Sequence, residues 1–399
     1  MSASDIIVPR RAESGDGQGG IDMALTPKHL IGMGFLAAAA VWTTGPALAE
    51  VGFGKPGEAV HLVVGYQPYY TESWSGVVIN GKELWKKYLP EGSTADFEIG
   101  LQGSVIVGKL LGEKNHIGYM GDMPAIVSTT KQDVVDLRMV AVLGTSKQQC
   151  NNFLVPNDAP EFQSGMDAVK WMDGKVVAAP HGACTDRFAR LAFDQAGIEP
   201  SKYLNQNIEN ITKNLEAGKI SAAAIWEPTA SKIQLQGIAR RAATGESFEG
   251  VDAGDAGFLV MMNELIETRP DVVRGWLEAE LDAQLFLMDM ANANEVAKMA
   301  DDQTEGIERR TLWYSLYGEV PPSMGGGPVR LTLDYVFNDK VNELLHASTK
   351  FLYEKKKVPS ETLRDGAVDD SVAREVLEAR GLSSPLGDII GQPLSSYSE

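Results

Sequence analysis

The sequence predicts an α/β protein of two lobes, the first interrupted by the second and completed by C-terminal helices. Two patterns carry that reading. From residue 60, short apolar runs of strand length alternate with amphipathic stretches of helix length, the rhythm of βαβ units and of a largely parallel sheet covered on both faces. Near residue 150 the rhythm begins again with shorter units, and after residue 262 the chain is mostly helical. With 399 residues, 44% of them hydrophobic and 8% aromatic, the chain is long enough for two cores.

The first strand is HLVVGY (61–66), followed by the amphipathic helix SGVVINGKELWKKYL (75–89), the strand ADFEIGL (95–101) and a helix over 103–112. The third strand, HIGYM (116–120), runs into a Gly121-Asp122 turn and a helix over 123–131. Pro124 fits the first turn of that helix, where its missing N–H costs nothing. A strand, a tight turn and a helix N-terminus place unpaired N–H groups at the carboxyl end of a strand, where open α/β sheets bind ligands. LRMVAVLG (137–144) is the fourth strand.

In the second set, CNNFLVP (150–156), KVVAAP (175–180) and SAAAIWEP (221–228) read as strands, and TDRFARLAFDQAG (185–197) as a helix ended by Gly197. DAGFLVMM (255–262) is extended again, and helices follow over 269–291, 294–302, 305–318 and 333–354. Residues 50–148 and 254–385 are expected to form lobe 1 and residues 149–253 lobe 2. Residues 386–399, punctuated by Pro and Gly, are expected to form a loose tail.

Residues 1–49 read as a secretory signal with a long n-region or an early start. Lys28 and His29 precede an apolar run from Leu30 to Trp42, too short to span a bilayer, and Ala47-Leu48-Ala49 gives a small-x-small cleavage site. The mature protein is therefore expected in the periplasm, not inserted in a membrane and monomeric. The net charge is −18, and removing the three basic and four acidic residues of 1–49 leaves −17, a balance that disfavours nucleic acid and anionic membranes. The only cysteines, Cys150 and Cys184, would reach an oxidising compartment together, and pairing would close a loop worth about 3–4 kcal/mol. Free thiols are the alternative. No metal pattern, Walker loop or cofactor motif is present: the five His and two Cys show no zinc spacing, and GGG at 325–327 lacks the Lys and Ser/Thr of a phosphate loop.

Three helix N-termini, at Ser104, Asp122/Met123 and Thr185, can offer N–H groups and partial positive charge to an oxyanion. Ser104 can equally cap its own helix, and Asp122 reads as a cap or an inter-lobe hydrogen-bond acceptor. The nearby cationic or titratable groups are Lys147, His181 and Arg187. Arg187 could fork onto an oxyanion or be an ordinary helix arginine, and His181 could be a loop histidine without a role. Tyr69, Tyr70, Trp74 and Trp226 lie on segments expected to face a cleft, which favours a solute with an apolar or aromatic body, although core packing also explains Trp226. A competing class is an enzyme with Cys184 as nucleophile beside His181 and Asp186.

The ordered series GYQP (65–68), GYMGDMPAI (118–126), DGKVVAAPHGA (173–183), AFDQAGIEP (192–200), AAAIWEP (222–228) and ETRPDVVRGWLEA (267–279) resembles the substrate-binding proteins of nitrate/sulfonate/taurine ABC importers over most of 60–355. The resemblance implies a type II periplasmic binding protein, with two α/β lobes that close on a small solute and deliver it to a membrane permease and its ATPase. The residues it implies for the ligand are Gln67, Tyr69, Tyr70, Gly103, Ser104, Gly121, Asp122, Met123, Ser146, Gly182, Ala183, Cys184, Thr185, Trp226 and Glu227. The expected solute is a small organic anion of the sulfonate, taurine or nitrate type, with a thiamine-precursor-like heterocycle as the alternative.

Overall fold

The computed structural model describes residues 52–399, and the expected signal segment 1–49 lies outside the described residues. Strand β1 (His61–Tyr66) is apolar at nearly every position and lies parallel between β2 (Thr94–Ile99) and β3 (Ile117–Gly121). Helix α1 (Trp74–Lys82) joins β1 to β2, α2 (Gly103–Leu111) joins β2 to β3, and α3 (Asp122–Thr129) leads to β4 (Leu137–Ser146). The helix expected over 75–89 stops at Lys82 because Glu83 turns left-handed, with φ of 49°, and a 3₁₀ turn takes over.

Beyond β4 the chain builds a second sheet. It comprises β5 (Asn152–Pro156), α4 (Gly165–Lys170), β6 (Val176–Ala179), α5 (Cys184–Ala196), β7 (Lys202–Asn205), α6 (Ile208–Glu216), β8 (Ala222–Ile225), α7 (Thr229–Leu235) and β9 (Ala239–Thr244). Its order is β7-β6-β8-β5-β9. Along β5, Phe153 and Val155 enter one core, with Phe188 of α5, while Leu154 enters the other, with Ile211 of α6 and Ile233 of α7. This period of two, apolar on both sides, lets helices cover both faces.

The chain returns through β10 (Asp255–Met262) to the first sheet, then α8 (Asn263–Thr268), α9 (Pro270–Met288), α10 (Ala293–Asp302), α11 (Arg309–Tyr317), β11 (Val329–Leu333), α12 (Asp339–Glu354), α13 (Ser371–Ala379) and β12 (Gly387–Ile390). The seven-stranded order is β12-β11-β4-β10-β3-β1-β2. Neither sheet is largely parallel, as the βα rhythm suggested. β10 is antiparallel to β3 and β4, and β5 is antiparallel to β8 and β9. The cause is the double crossing: β10 re-enters the first sheet at the end where β4 leaves it, and β9 leaves the second sheet at the end where β5 enters, so each neighbouring pair must run in opposite directions.

The helix expected over 333–354 is strand β11 followed by α12, whose N-cap is Asn338, its side chain accepting from the Val341 N–H. Within the segment expected to be loose, β12 pairs antiparallel with β11 and buries Ile389 completely. Deleting residues 387–399 should therefore cost about 1.5–3 kcal/mol, the value of one buried isoleucine. Urea unfolding would show this as a lower midpoint; an unchanged midpoint would mean that β12 adds nothing.

Candidate functional site

The carboxyl ends of β1, β2, β3, β6 and β8 converge on one cavity of about 190 Å³ between the two sheets. It is small beside a drug-sized pocket. On the first-sheet side it is lined by Gln67, Tyr70, the start of α2 from Gln102 to Ser104, and Gly121, Met123 and Pro124. On the other side stand Pro180 to Cys184 and Trp226. The starts of α2 and α3 come so close that a Cβ on Gly103 would lie 2.4 Å from Pro124 Cγ, so glycine is required there. Gly182 supplies the left-handed turn into α5, with φ of 78°.

Helix N-termini leave N–H groups without intrahelical acceptors. Those of Gly103, Ser104, Ala183 and Cys184 meet no carbonyl or side-chain acceptor among the described residues. The start of α3 differs from the expectation. Asp122 Oδ1 takes the Met123 N–H at 2.7 Å, and Pro124 has none, so this terminus has little left to offer an anion. Two of the three expected helix termini, those of α2 and α5, thus present free amides.

Of the sequence-selected residues, Gln67, Tyr70, Gly103, Ser104, Gly121, Met123, His181, Gly182 and Trp226 line the cavity. Seven stand away from it, each for a local reason. Trp74 is fully buried in the first core, its indole N–H donating to Pro68 O at 2.9 Å. Tyr69 turns outward, where its hydroxyl accepts from the Glu305 N–H at 2.8 Å. Ser146 secures the crossing after β4: its hydroxyl donates to Arg330 O and accepts from the Gln148 and Gln149 N–H groups. Thr185 is buried with its hydroxyl unpartnered, one position past the cavity wall.

Asp122 and Arg187 bind each other instead of a solute. The Arg187 guanidinium donates to Asp122 Oδ2 at 3.0 Å and to Gly254 O at 2.7 Å, and Ser348 Oγ donates to the same carboxylate at 2.8 Å. Both partners are at most 2% exposed. Glu227 is likewise spent. It accepts from Arg241 at 2.6 Å and from Arg330 at 3.2 Å, and Arg330 comes from β11 of the other sheet. Burial lowers the Arg330 guanidinium to about 10, still charged at neutral pH.

Among the described residues the cavity wall therefore carries neither Lys nor Arg. His181 is the cationic candidate among them, and burial, the largest influence, pushes its imidazole below the ordinary value, favouring the neutral ring. Tyr70, Trp226 and the Cys150–Cys184 disulfide, 6.1 Å between its Cα atoms, form one apolar cluster, and its Tyr70, Trp226 and Cys184 line the cavity together with Met123 of the first core. Sequence reasoning missed Gln102, Val107, Pro124, Val127 and Pro180 as lining residues, whereas Ala183 and Cys184 lie within the run 182–185 that the resemblance implied. Helical spacing could have found two of them, since Val107 follows Ser104 by three positions and Val127 follows Met123 by four.

Two α/β lobes with a solute-sized cavity at the strand ends define a type II periplasmic binding protein fold. Solved structures share it. The alkanesulfonate-binding protein of Xanthomonas axonopodis pv. citri, bound to MOPS, aligns with a TM-score of 0.60 and 19% identity over 79% of this chain and 99% of its own. The periplasmic nitrate-binding protein of Synechocystis PCC 6803 aligns with a TM-score of 0.62 and 14% identity over 82% and 90%. A desulfurization enzyme aligns at 0.55 and 12% identity over 80% and 99%, so the fold also hosts chemistry. The chain belongs to the NMT1-like family, whose model matches residues 43–301, which with these neighbours bears out the resemblance to nitrate/sulfonate/taurine binding proteins. Among curated proteins, none matches the sequence.

Removing one partner of a buried ion pair strands the other charge. Asp122→Ala should cost about 3–5 kcal/mol, whereas Asp96→Ala, at a side chain 71% exposed, should stay within about 0.5 kcal/mol. Equal urea midpoints for the two variants would refute the buried pair.

Proposed function

We propose that this protein is the periplasmic solute-binding component of an ABC importer and that it takes a small organic anion with an apolar or aromatic body. The observation that carries the reading is the pairing of free amides at the starts of α2 and α5 with a wall of Tyr70, Trp226, Met123 and disulfide sulfur. Amides at helix termini hold an oxyanion through fixed partial charges and need no lysine or arginine. The apolar wall takes the rest of the solute. Sulfonates fit both halves, and bare nitrate leaves the aromatic half unused. Signal-directed export, a monomeric state, and delivery to a permease and its ATPase follow from the same reading. Among the described residues no helix is long and apolar enough to cross a membrane.

A thiamine-precursor-like heterocycle is the second reading. It is favoured by the aromatic wall and by the absence of Lys and Arg from it. The cysteine-nucleophile reading requires a free Cys184 thiol, and that sulfur is bonded to Cys150.

A solute that binds only the folded protein raises apparent stability by about 2.7 kcal/mol at a hundredfold excess over Kd. Mature protein melted with aryl and alkyl sulfonates, nitrate, carboxylates and aminopyrimidines should be stabilised most by an aryl sulfonate. A shift with the aminopyrimidine alone would favour the heterocycle, and no shift with any sulfonate would refute the leading reading.

A further inference from the structure

Behind the aromatic wall lies a group of buried acids that the binding site does not itself use. Tyr70 lines the cavity, and its hydroxyl is hydrogen-bonded to Glu72 and lies 3.2 Å from Asp255 Oδ2. Glu72 is 1% exposed and Asp255 is fully buried. Glu72 belongs to the turn before α1, and Asp255 is the first residue of β10, where the chain returns from the second lobe.

The charges around this pair do not balance. Asp122 of α3 approaches it from one side, and Arg187 of α5 is the cation that faces it. That guanidinium already donates to Asp122 and Gly254 O. Asn151 offers an amide to Asp255 at 3.4 Å, and the Cys150 and Cys184 sulfurs, within 4.8 Å of Asp255, bring no charge. Asp255 itself borders a second cavity, lined also by Lys147, Lys340, Glu246 and Asp388, a mixed set that adds two acids for its two cations. Among the described residues, three buried carboxyls thus face the Arg187 guanidinium. Two carboxylates side by side in a buried site disfavour each other's ionisation.

One atom shows where the missing proton belongs. Glu72 Oε1 is buried with no hydrogen-bond donor, and the Tyr70 hydroxyl bridges its carboxyl to that of Asp255. A carboxylate oxygen stranded beside a second carboxyl is satisfied when one of the two is protonated. Burial, and then the neighbouring acids, push Glu72 well above the carboxylate range and Asp255 up to about 7.

We propose that Glu72 and Asp255 share one proton behind the cleft wall and through it set the charge preference of the cleft, so that an anionic solute binds together with a further proton. Tyr70 links the two sites, its ring on the solute and its hydroxyl on both acids. With one shared proton the pair retains a negative charge, which opposes an anion on the other face of Tyr70. A second proton removes that charge. By linkage the anion raises the proton affinity of the pair, and protonation raises the affinity for the anion to the same degree. The sign is fixed: anion affinity is highest below the value of about 7 for Asp255 and falls as pH rises through it. The coupling rests on the organic-anion reading of the cleft, whereas the shared proton does not.

Two measurements separate them. Infrared spectra of the solute-free mature protein, taken from about pH 6 to about pH 8, should show the carbonyl stretch of protonated carboxylic acid diminishing near the Asp255 value of about 7, as the second proton leaves, and persisting in part at about pH 8, where the shared proton stays. Glu280, buried beside Tyr119 and raised to about 7 by desolvation, is another source of such a band and is assigned with Glu280→Gln. The remaining band should vanish in Glu72→Gln or Asp255→Asn and shift in Tyr70→Phe, which removes one hydroxyl. If no such band persists at about pH 8 after the Glu280 assignment, or the persisting band ignores Tyr70→Phe, the shared proton is overturned.

Calorimetric titration of benzenesulfonate in two buffers of different ionisation enthalpy should show proton uptake on binding. Affinity should fall with pH by at most about tenfold per unit for one proton, and Glu72→Gln should flatten that dependence. Binding without proton uptake overturns the coupling. No binding at any pH, with the Tyr70-sensitive band present, overturns the organic-anion reading and the coupling with it while supporting the shared proton.

Discussion

Arg187 lies in the first turn of α5, close enough to the cavity to have served as its anion clamp, and the Asp122 carboxylate holds it elsewhere. That one buried pair shapes the rest of the site. Asp122 stands at the start of α3 on the first sheet and Arg187 on a helix of the second, so the bond ties the two lobes beside the cleft. It also occupies the N-terminus of α3 and engages the Arg187 guanidinium, which does not line the cavity. What remains for an anion is backbone: the amides at the starts of α2 and α5. Such amides cost no reorganisation, since secondary structure already fixes their direction.

A second ionic group fastens the lobes farther from the cavity. Glu227 sits between Arg241 of β9 and Arg330 of β11, all three fully buried, and Arg330 also donates to Ser315 O at 2.7 Å and to Gln148 at 3.3 Å. The single carboxylate of this group leaves one guanidinium charge in excess, and the spare N–H groups go to the neutral acceptors Asn152 Oδ1 and Ser315 O. The Glu72–Asp255 pair is the opposite case, with carboxyls in excess, and it lies at the return crossing into β10 and against Tyr70. That excess of acid therefore sits where the cavity wall meets the chain crossing.

Much of the architecture was legible from periodicity. The apolar run 61–66 and the motif ending in Gly121-Asp122 carry their structure locally, in hydrophobic spacing and turn chemistry. Strand direction was not legible, because it depends on where a chain that leaves a sheet comes back, and no local window contains that information. β12 was hidden for a similar reason: Gly387–Ile390 is a strand because β11 offers it an edge. Within the site, residues placed by a turn, such as Gly103, Gly121 and Gly182, line the cavity, Asp122 is the inter-lobe acceptor its position suggested, and Arg187 and Glu227 are the charged residues that do not line it. Arg187 and Glu227 look available in sequence, and their partners Asp122, Arg241 and Arg330 lie 65, 14 and 103 positions away. Long-range charge pairing is invisible to motif spacing and decides which side chains are left for a solute.

A cleft that binds anions through amides and offers no lysine or arginine is the central claim, and the bound solute can report on it directly. Native mass spectrometry of mature protein purified from its own cells, without denaturation, would weigh that solute, and denaturing the same sample would release it for identification. The account predicts a single small molecule bound one to one, carrying an acidic oxyanion group and an apolar or aromatic body. A released solute without any acidic group would contradict it.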